Sequence, residues 1–326
     1  MKAIALVQPP HEPAMAGTFF GYLLGEGWDV QGFGAQEDVP DDVAAETEFI
    51  LAALARVDAS LIDRCRKLRL IQVPGHGFEH VDVEAARAAG VPVATVASSG
   101  AEAHTVAEWA ILMAGAASRR LTEGHNALAR GEFANVTLMQ EGVFELAGKT
   151  IGIVGLGRIG RSIARRARGF DMAVLYSKRS RLPESEEREI GATFSALGDL
   201  LRRSDFISVS CSLTPQTRHL IGARELALVK PGAILVNTAR GPVIDEAALV
   251  AALTSGPLAG AGLDVYEEEP RVHPGLLPLR NVVLLPHLGS AVFELREKMA
   301  HVVVDNIEAF LAGKRPPNLH NPEIYA

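Results

Sequence analysis

Three side chains of complementary chemistry follow three apolar runs in the C-terminal half of the chain. Arg240 comes after Ile234-Leu-Val-Asn-Thr-Ala, Glu269 after Ala261-Gly-Leu-Asp-Val-Tyr with two further glutamates, and His287 after Val282-Val-Leu-Leu-Pro. An imidazole exchanges protons near neutral pH, a carboxylate can orient it, and a guanidinium grips an anion with two aimed hydrogen bonds. In an open α/β sheet, ligands bind in the crevice outside the carboxyl ends of the strands. A cation, a carboxylate and an imidazole delivered to one such rim therefore predict an active site. Taken singly, Glu269 beside Glu267 and Glu268 reads equally as a solvated acidic loop, and a histidine after a proline as a capping residue. The combination carries the argument.

The elements that must position these residues begin upstream. Lys149-Thr-Ile-Gly-Ile-Val154 is a short apolar run with β-branched residues; it passes into Gly155-Leu-Gly157-Arg-Ile-Gly160 and then into a helical pattern through Arg168. Strand, glycine turn and helix in that order form a dinucleotide-binding fingerprint. Gly155 permits the tight turn, Gly157 admits a pyrophosphate close to the backbone, and Gly160 lets the helix pack on the strand, with the helix N-terminus facing the anion. A second strand is expected at Met172-Ala-Val-Leu-Tyr176. The arginines at 161, 165, 166 and 168 read as the exposed face of the intervening helix.

Short apolar runs alternate with helical stretches over the first hundred residues, at Ala3 to Val7, Trp28 to Phe33, Glu48 to Ala53, Leu68 to Val73 and Val91 to Val96. The alternation restarts from Thr150, and both stretches predict parallel sheets. Helices are expected from Glu102 to Arg119 and from Leu121 to Arg130. A last helix, Ala291 to Leu311, has no strand after it, so its apolar face must dock on the first sheet. The expected organisation is a discontinuous domain of residues 1–100 and 290–326 around a nucleotide-binding domain of residues 101–289.

With 326 residues, 48% of them hydrophobic and 22% charged, the chain suits two domains of roughly 150 residues each. A net charge of -7 supplies no global basic field for nucleic acid or an anionic membrane. The longest apolar stretch, Trp109 to Ala117, is far too short to span a bilayer. The N-terminus reads as a first strand rather than a signal sequence. Two distant cysteines, Cys65 and Cys211, fit a reducing, cytoplasmic setting better than a disulfide framework. No metal site is expected.

Four motifs in order, Gly155-Leu-Gly-Arg-Ile-Gly160, Asn237-Thr-Ala-Arg-Gly241, Gly262-Leu-Asp-Val-Tyr-Glu-Glu-Glu-Pro270 and Pro286-His-Leu-Gly289, resemble the signature set of the D-isomer-specific 2-hydroxyacid dehydrogenases. The resemblance covers essentially the whole chain. Thr217-Arg-His-Leu-Ile221, Ser290-Ala-Val and Asn318-Leu-His-Asn-Pro322 are most similar to glyoxylate and hydroxypyruvate reductases. The resemblance implies an α/β fold of two doubly wound parallel-sheet domains, a Rossmann nucleotide-binding domain inserted in a flavodoxin-like substrate domain. It implies that His287 is the general acid that protonates a carbonyl oxygen as hydride arrives at C2, that Glu269 orients the ring and favours imidazolium, and that Arg240 grips the substrate carboxylate. It further implies cofactor contacts from Gly155, Gly157, Arg158, Ile159, Gly160, Thr214, Thr238 and Asp264, the last at the nicotinamide end. The backbone amides of His76 and Gly77 are expected to bind the substrate carboxylate. Two departures from the family pattern bear on substrate size: His76 stands where a small apolar residue is usual, and the segment 97–102 is about two residues longer than usual and lacks a Pro-Gly turn.

Cofactor selectivity turns on the end of the second nucleotide-domain strand. An NAD-selective site places an acidic residue there to bind the ribose 2′-hydroxyl. This chain reads Tyr176-Ser-Lys-Arg-Ser-Arg181 instead. Ser177 can hydrogen-bond a phosphate, and Lys178 with Arg179 or Arg181 can neutralise it, so NADP(H) is favoured with NAD(H) as the other option. The resemblance also implies a homodimer, to which apolar residues on more than one face of the Glu102 to Arg119 helix are expected to contribute. Other readings are a phosphoglycerate dehydrogenase, disfavoured by the lack of an appended regulatory domain, and a nicotinamide-sensing corepressor, disfavoured by the intact catalytic set. A formate dehydrogenase would have a glutamine in place of Glu269.

Overall fold

Each predicted apolar run becomes a parallel strand. The computed structural model describes residues 1–9, 11–75, 77–96, 99–100 and 102–325, and the chain divides into two compact units: residues 1–101 with 293–326, and residues 102–292.

In the first unit, strands β1 (Lys2–Val7), β2 (Asp29–Phe33), β3 (Phe49–Ala53), β4 (Leu70–Gln72) and β5 (Val93–Ala94) form a five-stranded sheet in the order β2-β1-β3-β4-β5. All its pairings are parallel. The central strands read as continuous apolar runs because both faces are covered. On one side Val303 and Ile307 of the Phe293–Leu311 helix pack with Phe49, Leu51 and Leu70. This is the docking that the unpaired last helix required. Each such buried side chain contributes roughly 1.5–3 kcal/mol. The same helix buries Asn306 completely. Its amide nitrogen donates to Gln72 Oε1 at 3.1 Å and to the Thr95 carbonyl at 3.0 Å, which fixes the helix in one register on β4.

In the second unit, β6 (Thr150–Val154), β7 (Ala173–Ser177), β8 (Thr193–Phe194), β9 (Phe206–Val209), β10 (Ala233–Asn237), β11 (Leu258–Leu263) and β12 (Val282–Leu284) form a seven-stranded parallel sheet. The order β12-β11-β10-β9-β6-β7-β8 reverses direction between β6 and β9, which is where a doubly wound sheet opens a crevice. One core gathers the Ala103–Ser118 and Arg158–Gly169 helices on one face, through residues such as Ala110, Met113 and Ile163. The other face is covered by Leu200, Leu226, Leu249 and their neighbours. β8, a two-residue edge strand, and the short Asn135–Gln140 helix are too brief for sequence periodicity to register.

One expectation changes. The extra apolar faces of the Ala103–Ser118 helix are used within the unit: Val106, Ile111 and Met113 are buried, because this helix lies across the Arg158–Gly169 helix as well as β10, β11 and β12. Of Val106, Trp109, Ile111, Leu112 and Met113, on which the interface expectation rests, only Leu112 stays largely exposed. The exposed apolar side chains lie further on, at Leu121, Leu128, Phe133, Val136 and Met139. No helix among the described residues is long and apolar enough to cross a membrane.

Candidate active site

Arg240 stands three residues beyond β10, on a turn built by the last residue of that strand. The buried Asn237 accepts the Ala239 N–H through Oδ1 at 3.0 Å and donates from Nδ2 to the Arg240 carbonyl at 3.0 Å. This local side-chain closure is why an asparagine ends the strand. Gly241 follows, and a Cβ there would overlap the carbonyl of Tyr266 and the nitrogen of Glu267. The Arg240 turn therefore lies flat on the backbone that carries Glu269. Arg240 Nη1 donates to its own neighbour's carbonyl, Ala239, at 2.7 Å.

Glu269 and His287 meet directly. His287 Nδ1 is 2.8 Å from Glu269 Oε2, and the other carboxylate oxygen accepts the Tyr266 N–H at 3.0 Å. Burial pushes the Glu269 carboxyl up, but the hydrogen bond and charge of His287, the Tyr266 amide and the charge of Arg240 together hold it below the ordinary carboxylate value. An ionised Glu269 makes Nδ1 the donor in this pair, which leaves Nε2 to hold a transferable proton. Glu269 and His287 are each more than one-third exposed, so the pair is within reach of solvent and of a small ligand.

The three glutamates at 267–269 part company. Glu268 is exposed and pairs with Arg271 at 3.1 Å, whereas Glu267 faces inward. The Glu267 N–H donates to Glu246 Oε1 at 2.7 Å and the Glu246 N–H donates to Glu267 Oε2 at 3.2 Å, and Glu267 also bonds His219 Nε2. This reciprocal bracing ties the Glu246–Thr254 helix to the loop that carries Glu269. Sequence reasoning missed Glu246, Glu267 and Asn237, since nothing in local pattern tells a solvated acid from one that braces a loop.

Asp264, read from sequence as a cofactor contact, is buried at 1% exposure. Its two oxygens accept the N–H groups of Leu288 at 2.8 Å and Gly289 at 2.7 Å, and its carbonyl accepts the His287 N–H at 2.9 Å. Burial raises its carboxyl above the ordinary value, and the two amides only partly offset this. The effect is to hold His287 in the left-handed region, at φ +56°, a conformation that costs a non-glycine residue roughly 1–3 kcal/mol and persists only where neighbours enforce it. Tyr266 links the same arms, with its hydroxyl donating to the Leu285 carbonyl at 2.9 Å and its N–H to Glu269.

The glycine turn has the geometry read from its sequence. Gly155 adopts φ +98°, and a Cβ on it would meet the Cys211 nitrogen at 2.6 Å, so the turn sits at the switch point against the end of β9. A Cβ on Gly160 would collide with the Gly155 carbonyl, whereas one on Gly157 would point into open space. Gly157 caps the Arg158–Gly169 helix without a side-chain hydrogen bond, so backbone N–H groups of the first turn around Arg158, Ile159 and Gly160 suit an anion. Burial pushes the Cys211 thiol up to about 11, which removes it as a nucleophile.

Two buried hydroxyls beside this turn, Ser210 Oγ after β9 and Thr238 Oγ1 after β10, have no partner among the described residues. Orphaned donors at the mouth of a glycine turn are what a bound polar cofactor would satisfy. Thr214 is exposed and its N–H is held by Thr217 Oγ1 at 2.7 Å. Ser177 and Lys178 are half-buried and Arg179 is exposed at the end of β7. Arg181 is instead drawn onto Glu187, Nη2 to Oε2 at 2.8 Å. In the first unit, Gly77 lies in the loop after β4, on the carboxyl edge of its sheet. His76, and residues 97, 98 and 101 of the longer segment, lie outside the described residues.

Residues 111–289 match the NAD binding domain of the D-isomer specific 2-hydroxyacid dehydrogenases. The chain is 42% identical over 311 residues to a glyoxylate reductase of Thermococcus gammatolerans, covering 93% of this chain and 92% of that protein. Among solved structures it resembles a glyoxylate reductase from Paecilomyes thermophila, with 32% identity, a TM-score of 0.83 and 99% of each chain covered. It also resembles a D-lactate dehydrogenase from Aquifex aeolicus complexed with NAD and lactic acid, with 25% identity and a TM-score of 0.84 over 97% of this chain and 98% of the other.

Proposed function

The chain belongs to the D-isomer specific 2-hydroxyacid dehydrogenases, and from that premise we propose that it reduces a small 2-keto acid, glyoxylate or hydroxypyruvate, to the D-2-hydroxy acid. The observation that carries the proposal is the Glu269–His287 pair at 2.8 Å on a rim that Arg240 shares. When bound, a nicotinamide cofactor supplies the hydride. His287 gives its Nε2 proton to the carbonyl oxygen, and Glu269 steadies the imidazolium before the transfer and keeps Nδ1 protonated after it. Arg240 pairs with the substrate carboxylate through its planar fork and polarises the adjacent carbonyl. In the reverse direction His287 takes the hydroxyl proton as a base.

Residues suited to hold the cofactor are Gly155, Gly157, Arg158, Ile159 and Gly160 at the pyrophosphate, with Ser177, Lys178, Arg179, Thr214 and Thr238 around the rest; Asp264, expected at the nicotinamide end, is buried on the 288 and 289 amides and acts through His287 instead. Support for NADP(H) over NAD(H) comes from the lack of any acid at the end of β7 and from Lys178 and Arg179, which have no ion-pair partner among the described residues. The amides of His76 and Gly77 as a carboxylate clamp rest on the family resemblance alone. Turnover with glyoxylate and hydroxypyruvate, each with NADPH and NADH, tests the reading, and inactivity in all four combinations would overturn it.

A homodimer would cover Leu121, Leu128, Phe133, Val136 and Met139, whose exposure is costly for a lone chain. Sedimentation should then give a species near twice the 34.7 kDa chain mass, and a stable, active monomer would refute it.

A further inference from the structure

The turn that follows β7 is tied at both feet by side chains that no proposed cofactor contact includes. Tyr176, fully buried at the end of the strand, donates its hydroxyl to Glu187 Oε1 at 2.6 Å, and the Tyr176 hydroxyl oxygen accepts the Leu182 N–H at 2.9 Å. Arg181 forks onto that carboxylate, Nε to Oε1 at 2.9 Å and Nη2 to Oε2 at 2.8 Å. Residues 177–181 are thus looped out between two anchored ends, 176 to 182 and 181 to 187.

Two neighbouring acids are paired as well. Glu184 pairs with Arg188 at 3.6 Å and Glu186 with Arg161 at 2.6 Å. Hydrogen bonds from Arg181 first, and then from Tyr176, lower the Glu187 carboxyl to about 2, so it stays ionised and engaged at any physiological pH. Lys178 and Arg179 are the cations of the turn without an ion-pair partner among the described residues.

We propose that the Tyr176–Glu187–Arg181 triangle determines nucleotide selectivity without touching the nucleotide. It withdraws the one carboxylate that closes this turn from the ribose hydroxyls and removes Arg181 as a ligand. It also holds Ser177, Lys178 and Arg179 in place for a 2′-phosphate. The inference rests on the reading that this turn receives a 2′-phosphate. Ordering a loop and two long side chains before binding lowers the entropy that the ligand must overcome, an effect on the order of tenfold in affinity.

The test is calorimetric binding of adenosine 2′,5′-bisphosphate and of adenosine 5′-monophosphate to the full chain, with no turnover involved. Tyr176→Phe removes both bonds of the hydroxyl but keeps the ring, and Glu187→Gln loosens Arg181 while keeping an acceptor for Tyr176. Arg179→Ala probes the phosphate reading itself. We expect the wild type to prefer the bisphosphate. All three variants should lose about tenfold in its affinity, with the monophosphate little changed as evidence that the pocket remains folded. If Arg179→Ala loses affinity but Tyr176→Phe and Glu187→Gln do not, the phosphate reading stands and the triangle is overturned. Tighter bisphosphate binding by Glu187→Gln would show that a released Arg181 is a ligand and would overturn it equally. A wild type that binds both nucleotides alike overturns the phosphate reading and the triangle together.

Discussion

The rim that carries Glu269 and His287 and the turn after β7 are both held by hydrogen-bonded side chains, but they divide the labour in opposite ways. On the rim, the groups proposed for chemistry are partnered with one another: His287 with Glu269 at 2.8 Å, and Glu269 with the Tyr266 amide. On the turn, the paired groups, Tyr176, Glu187 and Arg181, do the holding, while Lys178 and Arg179 are left without an ion-pair partner among the described residues. The contrast follows from what each region must do. Proton transfer needs a donor whose ring and tautomer are set before the substrate arrives. Recognition of a phosphate needs cations whose charge is not already neutralised.

The sharpest way to break the comparison is at the rim. His287→Ala removes the proposed proton donor and should cost roughly two to four orders of magnitude in kcat, with fold and cofactor binding retained. Turnover near that of the wild type would take His287 out of the mechanism. Arg240→Lys is the next largest: it keeps the charge but loses the fork. The KM for a 2-keto acid should rise, with kcat/KM falling on the order of tenfold to a hundredfold. Steady-state kinetics unchanged by this substitution would mean that the carboxylate is held elsewhere.

The turn should respond through selectivity rather than rate. Ser177→Asp places a carboxylate where a 2′-phosphate would sit and should reverse the preference from NADPH to NADH, by about tenfold or more in the ratio of kcat/KM. In the wild type the preference should weaken as salt rises, because the exposed Arg179 is screened. Equal use of both cofactors at low salt would leave the turn as a solvated loop.

The smallest expected effect is on stability in acid. Glu187 is lowered from 4.5 to about 2 and Glu269 is also lowered. Both are carboxyls with folded values below unfolded ones, so their contributions are present above about pH 4.5 and are lost as pH falls toward 2. Urea midpoints measured down this range should drop, and Glu187→Gln should flatten part of the slope. A slope identical to that of the wild type would show that Glu187 contributes no such coupling.

Much of this was legible without coordinates because it is written in local pattern. The continuous apolar runs of β1, β3, β6 and β10 announce strands buried on both faces. The glycines at 155, 157 and 160 announce a strand turning into a helix around an anion. Arg240, Glu269 and His287 were found because each follows such a run, and strand ends in a parallel sheet share one edge. The Ala103–Ser118 helix shows the limit: its several apolar faces suggest an interface, whereas they pack on a neighbouring helix and three strands of their own unit.

What the sequence determined by itself was therefore the periodic and the consecutive: strand and helix types, the parallel sheets, the glycine turn and the residue types delivered to the rim. Tertiary structure decided which polar groups meet. That Asp264 holds the amides of 288 and 289, that Glu246 and Glu267 brace each other, and that Arg181 is taken up by Glu187 rather than offered to a ligand all depend on hydrogen bonds. Such bonds require donor and acceptor within about 3 Å and well aligned. Residues 21 positions apart, such as Glu246 and Glu267, reach that geometry only after helices and strands have packed, and no spacing along the chain encodes it.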